Sequence, residues 1–415
     1  MLQDQTDASG ELVAVLHANG QQTAETERIL HRLTRTWGEP AVLLPGWQSS
    51  AIKDSSLTTG TVTMLAAVPD SVAMNRVAAA GRIAEAARIG RLNPAQMVTE
   101  LRSVRNLPLA SDTAFALASA IGAAALALSF GALHWLTLLV VSLSAGCGAV
   151  LRRRIGRAGG SAFLQVFLAA LLAGIIGAIC VRLGVSSDLR LMAVCPCMVM
   201  VPGPHLLNGA LDLLDNRLPL GASRLLFATL TLSAIAAGLL CGLLALNVTL
   251  PPAPPGRDVP LAIVVIAGGV AAACYSTFFS LPRHLLGWPV FAAMLADAAR
   301  WAAMTILHLS PAGGAAVAGL IAGLLLVPVS RRWHVPFAGI GFAAIVSLMP
   351  GVFVFRMAAG IIALSSAPTT SVPNLIEAVA LDGLTAALII ATLTLGIIIP
   401  KLFYDALARH WGVSA

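Results

Sequence analysis

The sequence predicts an all-α polytopic membrane protein with ten transmembrane helices, arranged as two inverted five-helix repeats and preceded by a small α/β cytosolic domain. Three observations lead to this fold class. The 415 residues are 58% hydrophobic and 11% charged, with a mean hydropathy of +0.86, which soluble domains do not show. The apolar residues are concentrated in membrane-length segments from Thr113 onward. Within them, MVMVPGPHLLNGALDLL at 198–214 reappears in altered form as VSLMPGVFVFRMAAGII at 346–362.

Residues 1–108 have the mixed pattern of a small α/β domain. Met1 is followed by polar residues without an apolar core, so no signal peptide is expected. Residues 21–37 place their large apolar side chains on one helical face, which predicts an amphipathic helix. The two histidines of this part, His17 and His31, lack a neighbouring metal-ligand pattern and are expected to lie at the surface.

The rest of this domain alternates strand and helix signals. Apolar runs at 41–44 and 61–68 favour short β-strands, and a helical pattern follows from 71 to about 92. Asn93-Pro94 supplies an N-cap and a proline at the first helical position. A further helix is therefore predicted to begin there and to end near Asn106.

Ten hydrophobic segments follow, and most approach the roughly 20 residues that cross about 30 Å of hydrocarbon. They divide into a first membrane repeat at 109–256 and a second at 257–415. The segments are 113–132, 134–151, 162–182, 190–209, 224–248, 259–280, 286–307, 313–329, 336–357 and 379–400.

The basic residues indicate how these segments are oriented. The formal net charge of +7 depends on 24 arginines and only two lysines. Arginines are densest at 152–157 and 331–332, at segment ends that all face one side of the predicted membrane. The positive-inside rule therefore places both termini in the cytoplasm, with the protein in the inner (plasma) membrane, and the charge is poor support for nucleic-acid binding.

Motifs for cofactors or catalysis are missing from the sequence. It contains no Walker loop, dinucleotide fingerprint, GxSxG elbow or HExxH, so no cofactor, no metal and no enzymatic activity are expected. All six cysteines fall in apolar segments, where they are expected to pack as small hydrophobes without forming disulfides.

Pro202-Gly203 and Pro350-Gly351 interrupt the fourth and ninth segments. Proline removes a backbone donor and glycine tolerates unusual dihedrals, so both segments should be discontinuous near mid-membrane. Irregular backbone at that depth persists only where it is buried in protein or lines a watery cavity. A matched pair of breaks is a pointer to a substrate site, although two structural kinks would give the same pattern.

The order of the repeated motifs predicts how the two halves are related. ATLTL occurs at 228–232 in segment five and again at 391–395 in segment ten, so each half has five crossings. An odd number of crossings places the second half upside down relative to the first. This is the inverted-repeat plan of many secondary transporters.

Polar residues within the segments are candidates for binding and proton coupling. Asn208 could reach the same cavity as the first break, and Asp212 lies about one turn further along that face, although it could instead mark a helix end. His205 is adjacent to the break and titrates near neutrality, but a lone histidine is more often packed. Asp382 is a second proton candidate, or else an interfacial carboxylate near the start of segment ten.

Asp297 and Arg300 in segment seven are the most expensive residues to bury, because each costs about 2.5 to 3.5 kcal/mol on insertion scales. Their spacing allows a structural ion pair on one helical face. The alternative is that Asp297 exchanges protons during transport, while Arg300 is released to a substrate carboxylate in one state.

These residues together resemble the threonine/serine exporter (ThrE) family over nearly the whole chain. His205 and Phe355 depart from that family, in which a small or apolar residue and a tyrosine are expected. The matching positions are Gly20, Thr23 and Glu27 in the first domain; Pro202-Gly203, Asn208, Asp212, Gly221 and Arg224 in the first repeat; and Pro350-Gly351 with Arg356 in the second.

The resemblance implies proton-driven export of threonine and serine from the cytoplasm, and some relatives are linked to dicarboxylate export. A helix break exposes backbone N–H groups that receive anions, so the surroundings of Gly203 and Gly351, with Arg356, are expected to bind a substrate carboxylate. The expected partners are this substrate, protons and the lipid bilayer, with a homo-oligomer as a further option. A membrane-bound hydrolase acting through the N-terminal domain and a channel are the other classes considered.

Overall fold

A computed structural model describes residues 3–38, 40–54, 62–184, 189–248, 259–364 and 370–410. Within these ranges the chain is an all-α polytopic membrane protein that begins with a short region containing a sheet.

The N-terminal region combines four helices with three strands, of which the sequence predicted three helices and two strands. Its elements are α1 (Gln3–Ala18), α2 (Thr23–Thr36), β1 (Ala41–Leu44), β2 (Ser49–Asp54), β3 (Val62–Ala66), α3 (Met74–Arg88) and α4 (Pro94–Arg105). The sheet is antiparallel in the order β1-β2-β3, with Val42 opposite Lys53 and Ile52 opposite Thr63. The sequence did not predict β2, whose polar ends obscure the strand pattern.

Local sequence signals explain where two of these helices lie. Asn93 caps α4, since its side chain accepts from the Gln96 N–H at 2.8 Å and the Gln96 side chain accepts from the Asn93 N–H at 3.0 Å. Helix α2 buries Ile29 and Leu33 against the region's own core, which confirms the predicted amphipathic face.

Twelve helices form the membrane bundle of the described residues. They are α5 (Asp112–Ser129), α6 (Trp135–Arg157), α7 (Ala162–Arg182), α8 (Leu189–Met198), α9 (Gly203–Leu214), α10 (Leu218–Leu244), α11 (Leu261–Phe278), α12 (Gly287–Thr305), α13 (Pro311–Trp333), α14 (Phe337–Ile345), α15 (Gly351–Leu364) and α16 (Val372–His410). A 3₁₀ turn at Val346–Leu348 follows α14.

Seven helices of the described chain are long and apolar enough to cross a membrane, or up to nine if each of two bent pairs is one span. Helix α12, which contains Asp297 and Arg300, is not among them. The count of ten crossings therefore stays a prediction, because it requires α12 to cross despite its two charges.

The two predicted breaks are present. The chain bends by 55° between Leu191–Met198 and Gly203–Leu214, and by 70° between Phe337–Leu348 and Gly351–Ile361. Each bend is at a Pro-Gly pair, where the missing proline donor prevents the helix from continuing. Both helices after a break extend further than predicted, since α9 ends at Leu214 and α15 at Leu364.

Small residues allow two helix pairs to pack closely. A Cβ on Gly174 of α7 would lie 3.0 Å from the Gly242 Cα of α10, and a Cβ on Gly396 of α16 would lie 3.2 Å from the Gly319 Cα of α13. Close backbone approach of this kind is how helices associate where no water-driven force acts between them.

The N-terminal region packs on one end of the bundle, which we call the near end. The Met74 N–H donates to the Phe279 carbonyl at 3.0 Å, after α11 ends. The Arg217 Nη2, before α10 begins, lies 2.6 Å from the Glu27 Oε2 of α2. The opposite end of the bundle, where α5 and α12 finish and α11 starts, is called the far end.

Candidate functional site

The two helix breaks contact each other inside the bundle. A Cβ on Gly203 would overlap the Phe342 ring of α14, which precedes the second break. A Cβ on Gly351 would lie 3.1 Å from the Met198 Cγ of α8, which precedes the first break. Each break glycine therefore leaves the space that is filled by a side chain from the helix before the other break.

The backbone groups at the first break find most of their hydrogen-bond partners within the protein. The Gly203 N–H donates to the Val201 carbonyl at 2.9 Å, and the His205 N–H donates to the Pro202 carbonyl at 3.1 Å. Tyr275 of α11, fully buried, donates its hydroxyl to the Met198 carbonyl at 2.9 Å. The Gly203 amide that was expected to hold a carboxylate is thus occupied in this conformation.

A cavity of about 390 Å³, the near cavity, opens beside the first break at the near end of the bundle. Pro202 and His205 line it together with Arg152 of α6 and Asp70, which precedes α3. The His205 ring packs edge-on against Phe227 of α10, with centroids 4.9 Å apart. Two predicted site residues, Pro202 and His205, therefore share one cavity.

A second cavity, the far cavity of about 570 Å³, lies at the far end of the bundle. Asp297, Arg300 and Trp301 of α12 line it. Asp297 is buried, and the Ser347 hydroxyl donates to its two carboxylate oxygens at 3.2 and 3.0 Å. Ser347 belongs to the 3₁₀ turn before Pro350, so Asp297 connects the far cavity to the second break.

Among the described residues, Asp297 and Arg300 do not form the direct ion pair that was one of the two alternatives for them. Asp297 uses Ser347 as its hydrogen-bond partner, and the buried Arg300 Nε has none. The i, i+3 spacing brings both residues to one face, but the carboxylate turns toward α11 and the 3₁₀ turn. Gly268 of α11 makes room for it, because a Cβ there would overlap the carboxylate.

Asn208 and Asp212 lie away from the near cavity, contrary to the expectation for Asn208. The Asn208 amide donates to the Gly20 carbonyl at 3.1 Å, so it joins α9 to the N-terminal region. Gly20 has φ of +86°, a left-handed conformation that favours glycine. Asp212, in the last turn of α9, lies 2.8 Å from the fully buried Arg224 Nε of α10. Both belong to the junction between the region and the bundle.

Arg356 and Asp382 are partners across α15 and α16. The Arg356 Nε lies 3.0 Å from the Asp382 Oδ2. Asp382 was considered as a carboxylate near a helix start, but α16 begins earlier, at Val372, and Asp382 is buried within it. The pair corresponds to Asp212 and Arg224, but the two residue types are exchanged. The helix after the break carries the aspartate in α9 and the arginine in α15.

His17 is buried, which corrects its expected surface position, whereas His31 is exposed. The His17 Nε2 lies 3.0 Å from the Gly46 carbonyl oxygen. Burial, followed by the nearby Arg224 charge, lowers the pKa of His17 to about 4. The apolar run before it, Val13-Ala14-Val15-Leu16, could have indicated that this helix face is covered.

Three further residues of the site were missed in the sequence. Ser347 has no counterpart in the first repeat, and Arg152 was counted only with the arginines that indicate orientation. Tyr275 offered a signal, since it is one of two tyrosines and lies within an apolar segment. Among the described residues, no cluster of His, Cys, Asp and Glu could hold a metal ion.

Two family models match this chain. A ThrE family model of threonine/serine exporters matches residues 8–246, and a second model, described as Threonine/Serine exporter, ThrE, matches residues 264–403. No significant match is found among curated proteins or among solved structures. The first model alone covers more than half of the chain and includes the break at Pro202-Gly203, while the second includes the break at Pro350-Gly351. The chain therefore belongs to the threonine/serine exporter family.

Proposed function

We propose that this protein is a proton-coupled secondary transporter that exports threonine and serine from the cytoplasm by alternating access. The observation that carries the proposal is the contact between the two helix breaks, with one cavity toward each end of the bundle. Irregular backbone in a membrane bundle is a feature of transporter substrate sites. Family membership supports the substrate class.

The transporter would be built as two inverted five-helix repeats, at 109–256 and 257–415, with ten crossings. The helix packing supports this plan, because α7 packs on α10 through glycines in the first half as α13 packs on α16 in the second. The reciprocal contacts of Gly203 with Phe342 and of Gly351 with Met198 are what a pseudo-two-fold axis would produce. The mirrored ion pairs of α9–α10 and α15–α16 agree with it.

The near cavity would be the cytoplasmic entrance. The arginine cluster at 152–157 lies at the near end, and the positive-inside rule assigns such an end to the cytoplasm. With this orientation, both termini and the N-terminal domain would lie in the cytoplasm, and the far cavity would open to the outside of the inner membrane.

Asp297 is the proton carrier that the geometry favours. Asp212 and Asp382 each have an arginine partner, whereas Asp297 has a serine hydroxyl. Asp297 also lines the far cavity and contacts the turn before the second break, so its protonation could bias that break. Arg300, with its Nε unpartnered, remains available to a substrate carboxylate in the same cavity.

Transport into inside-out membrane vesicles tests this function. An acid-inside pH gradient should drive uptake of labelled threonine and serine, because protons leaving the vesicle exchange for substrate entering it. A protonophore should abolish the uptake, and vesicles without the protein provide the background. Labelled succinate, run in parallel, tests the alternative that the substrate is a C4 dicarboxylate or another small carboxylate.

Uptake that depends on the protein but not on the gradient would exclude proton coupling and still show that the protein is a transporter. If neither amino acid moves and succinate does, the family's substrate class is wrong for this chain. If no carboxylate moves under any gradient, the exporter proposal fails.

A further inference from the structure

The near cavity contains a cation that neither the sequence motifs nor the proposed mechanism uses. Arg152, the first of the three arginines near the end of α6, lines this cavity beside the first break. The other two are Arg153, whose Nη1 lies 2.6 Å from the Asp112 Oδ1, and Arg154, which is exposed. Arg157 also contacts Asp112, so the acid next to the cluster is already shared.

Arg152 has no carboxylate partner within the described part of the chain. Its guanidinium carbon lies 5.9 Å from the Phe115 ring centroid and 5.6 Å from that of Phe278. Its Nε is enclosed and has no hydrogen-bond partner. Two aromatic rings hold the side chain in place but leave this enclosed Nε–H donor without a hydrogen bond. An enclosed guanidinium with an unused donor is unfavourable unless an anion binds to it.

The near cavity has the size, the charges and the apolar surface that are needed to bind a small zwitterion. Its volume of about 390 Å³ falls within the range of small-molecule sites. Asp70, exposed and on the same wall as Ser71 and Val72, provides a negative charge in the cavity that contains Arg152. Phe227 and Phe278 supply apolar surface for a short side chain.

We propose that Arg152 is the substrate-binding residue of the near cavity, where its guanidinium receives the α-carboxylate of the amino acid and Asp70 receives the ammonium group. Guanidinium and carboxylate match as a two-point hydrogen-bonded pair, which lysine cannot reproduce. The inference rests on the proposed transport function and adds the residue that anchors its substrate before the first break moves. Threonine and serine would share these contacts, since both carry the same two charged groups.

Binding to the purified full-length protein in detergent tests the assignment without transport. Threonine should raise the unfolding temperature of the wild type, and threonine amide, which lacks the carboxylate, should not. Arg152→Gln should weaken threonine binding by about tenfold to a hundredfold, the effect of losing a charged hydrogen-bonded contact. Arg152→Lys should retain part of the binding, and Asp70→Asn should weaken threonine binding.

Arg154→Gln is the matched control, because it removes the same charge from the same helix at an exposed position. It should bind threonine like the wild type if Arg152 acts at the site. Equal losses in both variants would assign Arg152 to membrane orientation and overturn the inference, as would an Arg152→Gln protein that binds threonine with unchanged affinity. If that variant binds normally while the wild type exports threonine, only this inference fails. If the wild type binds no amino acid and no succinate, the proposed function fails with it.

Discussion

Three buried aspartates of the membrane bundle differ in the side chains that they contact. Asp212 and Asp382 each lie within 3.0 Å of an arginine nitrogen, whereas Asp297 accepts from a serine hydroxyl. The charges of Asp212 and Asp382 are each compensated by an arginine, whereas the partner of Asp297 is a neutral hydroxyl. This difference supports the choice of Asp297, which the sequence already singled out for the cost of its burial, over Asp382 and Asp212.

Asp297→Asn should separate transport from the pH gradient. The amide keeps the hydrogen bond to Ser347 but carries no exchangeable charge, so exchange of threonine across the membrane should persist while gradient-driven uptake is lost. Uptake into inside-out vesicles with and without a gradient measures both. Glu377→Gln, at an exposed position of α16, is the control and should behave like the wild type. Gradient-driven uptake that survives in Asp297→Asn would rule out this carrier.

His17 should make the protein less stable in mild acid. Its pKa of about 4 in the folded chain lies below the ordinary 6.5, so the unfolded chain binds more protons between these values. The stability is complete above pH 6.5 and is lost as the pH falls toward 4. Going from about pH 7 to about pH 5 should therefore remove about 2 kcal/mol.

Thermal unfolding at the two pH values measures this effect. His17→Gln should flatten the pH dependence, whereas His31→Gln, at an exposed position, should leave it unchanged. A His17→Gln protein with the wild-type slope would show that the acid sensitivity arises elsewhere.

At the scale of elements, each helix that follows a break is fastened to the next helix by one ion pair. Asp212 and Arg224 join α9 to α10, and both side chains are at most 1% exposed. Arg356 and Asp382 join α15 to α16 with 28% and 10% exposure. The first pair is therefore the more costly to break, because each charge would be left buried without its partner.

Removing one member of the buried pair should destabilise the protein strongly. Asp212→Asn and Arg224→Gln should each lower the free energy of unfolding by about 3 to 5 kcal/mol, and Asp382→Asn should lower it by less. Thermal unfolding of the purified variants measures the order. The double variant Asp212→Asn/Arg224→Gln should lose less than the sum of the two singles, because no lone charge remains. Strict additivity would show that the two side chains act independently.

At the scale of the whole molecule, the two breaks contact each other, and one cavity lies toward each end of the bundle. Each break packs against the helix that precedes the other break, so a movement of one break would disturb the packing of the other. The N-terminal region contacts α9 through Asn208 and also approaches α16, where the Arg28 Nη2 lies 3.6 Å from the Asp405 Oδ1. It thus contacts helices from both halves at the near end.

A disulfide between the breaks should stop transport reversibly. Met198→Cys with Gly351→Cys places two thiols where a Cβ on residue 351 would lie 3.1 Å from the Met198 Cγ, close enough to form a bond. All six native cysteines are free and must be replaced first. Oxidation should abolish threonine uptake and a reductant should restore it, while either single cysteine variant is unaffected by oxidant. A cross-linked protein that transports normally would contradict alternating access at the breaks.

The amino-acid pattern alone determined much of this protein. Hydropathy revealed the membrane helices, Pro202-Gly203 and Pro350-Gly351 marked both breaks, and Asn93 marked a cap, because these effects depend on residues close in the chain. The family resemblance followed from the same local motifs.

Only the tertiary structure decided which residues meet. It turned Asp297 from Arg300 toward Ser347, placed Asn208 against Gly20 rather than in a cavity, and brought Arg152 beside the first break. These partners are separated by up to 188 positions along the chain, as Asn208 and Gly20 are. Helical periodicity fixes the face on which a side chain lies, but the packing of distant helices decides what that face touches.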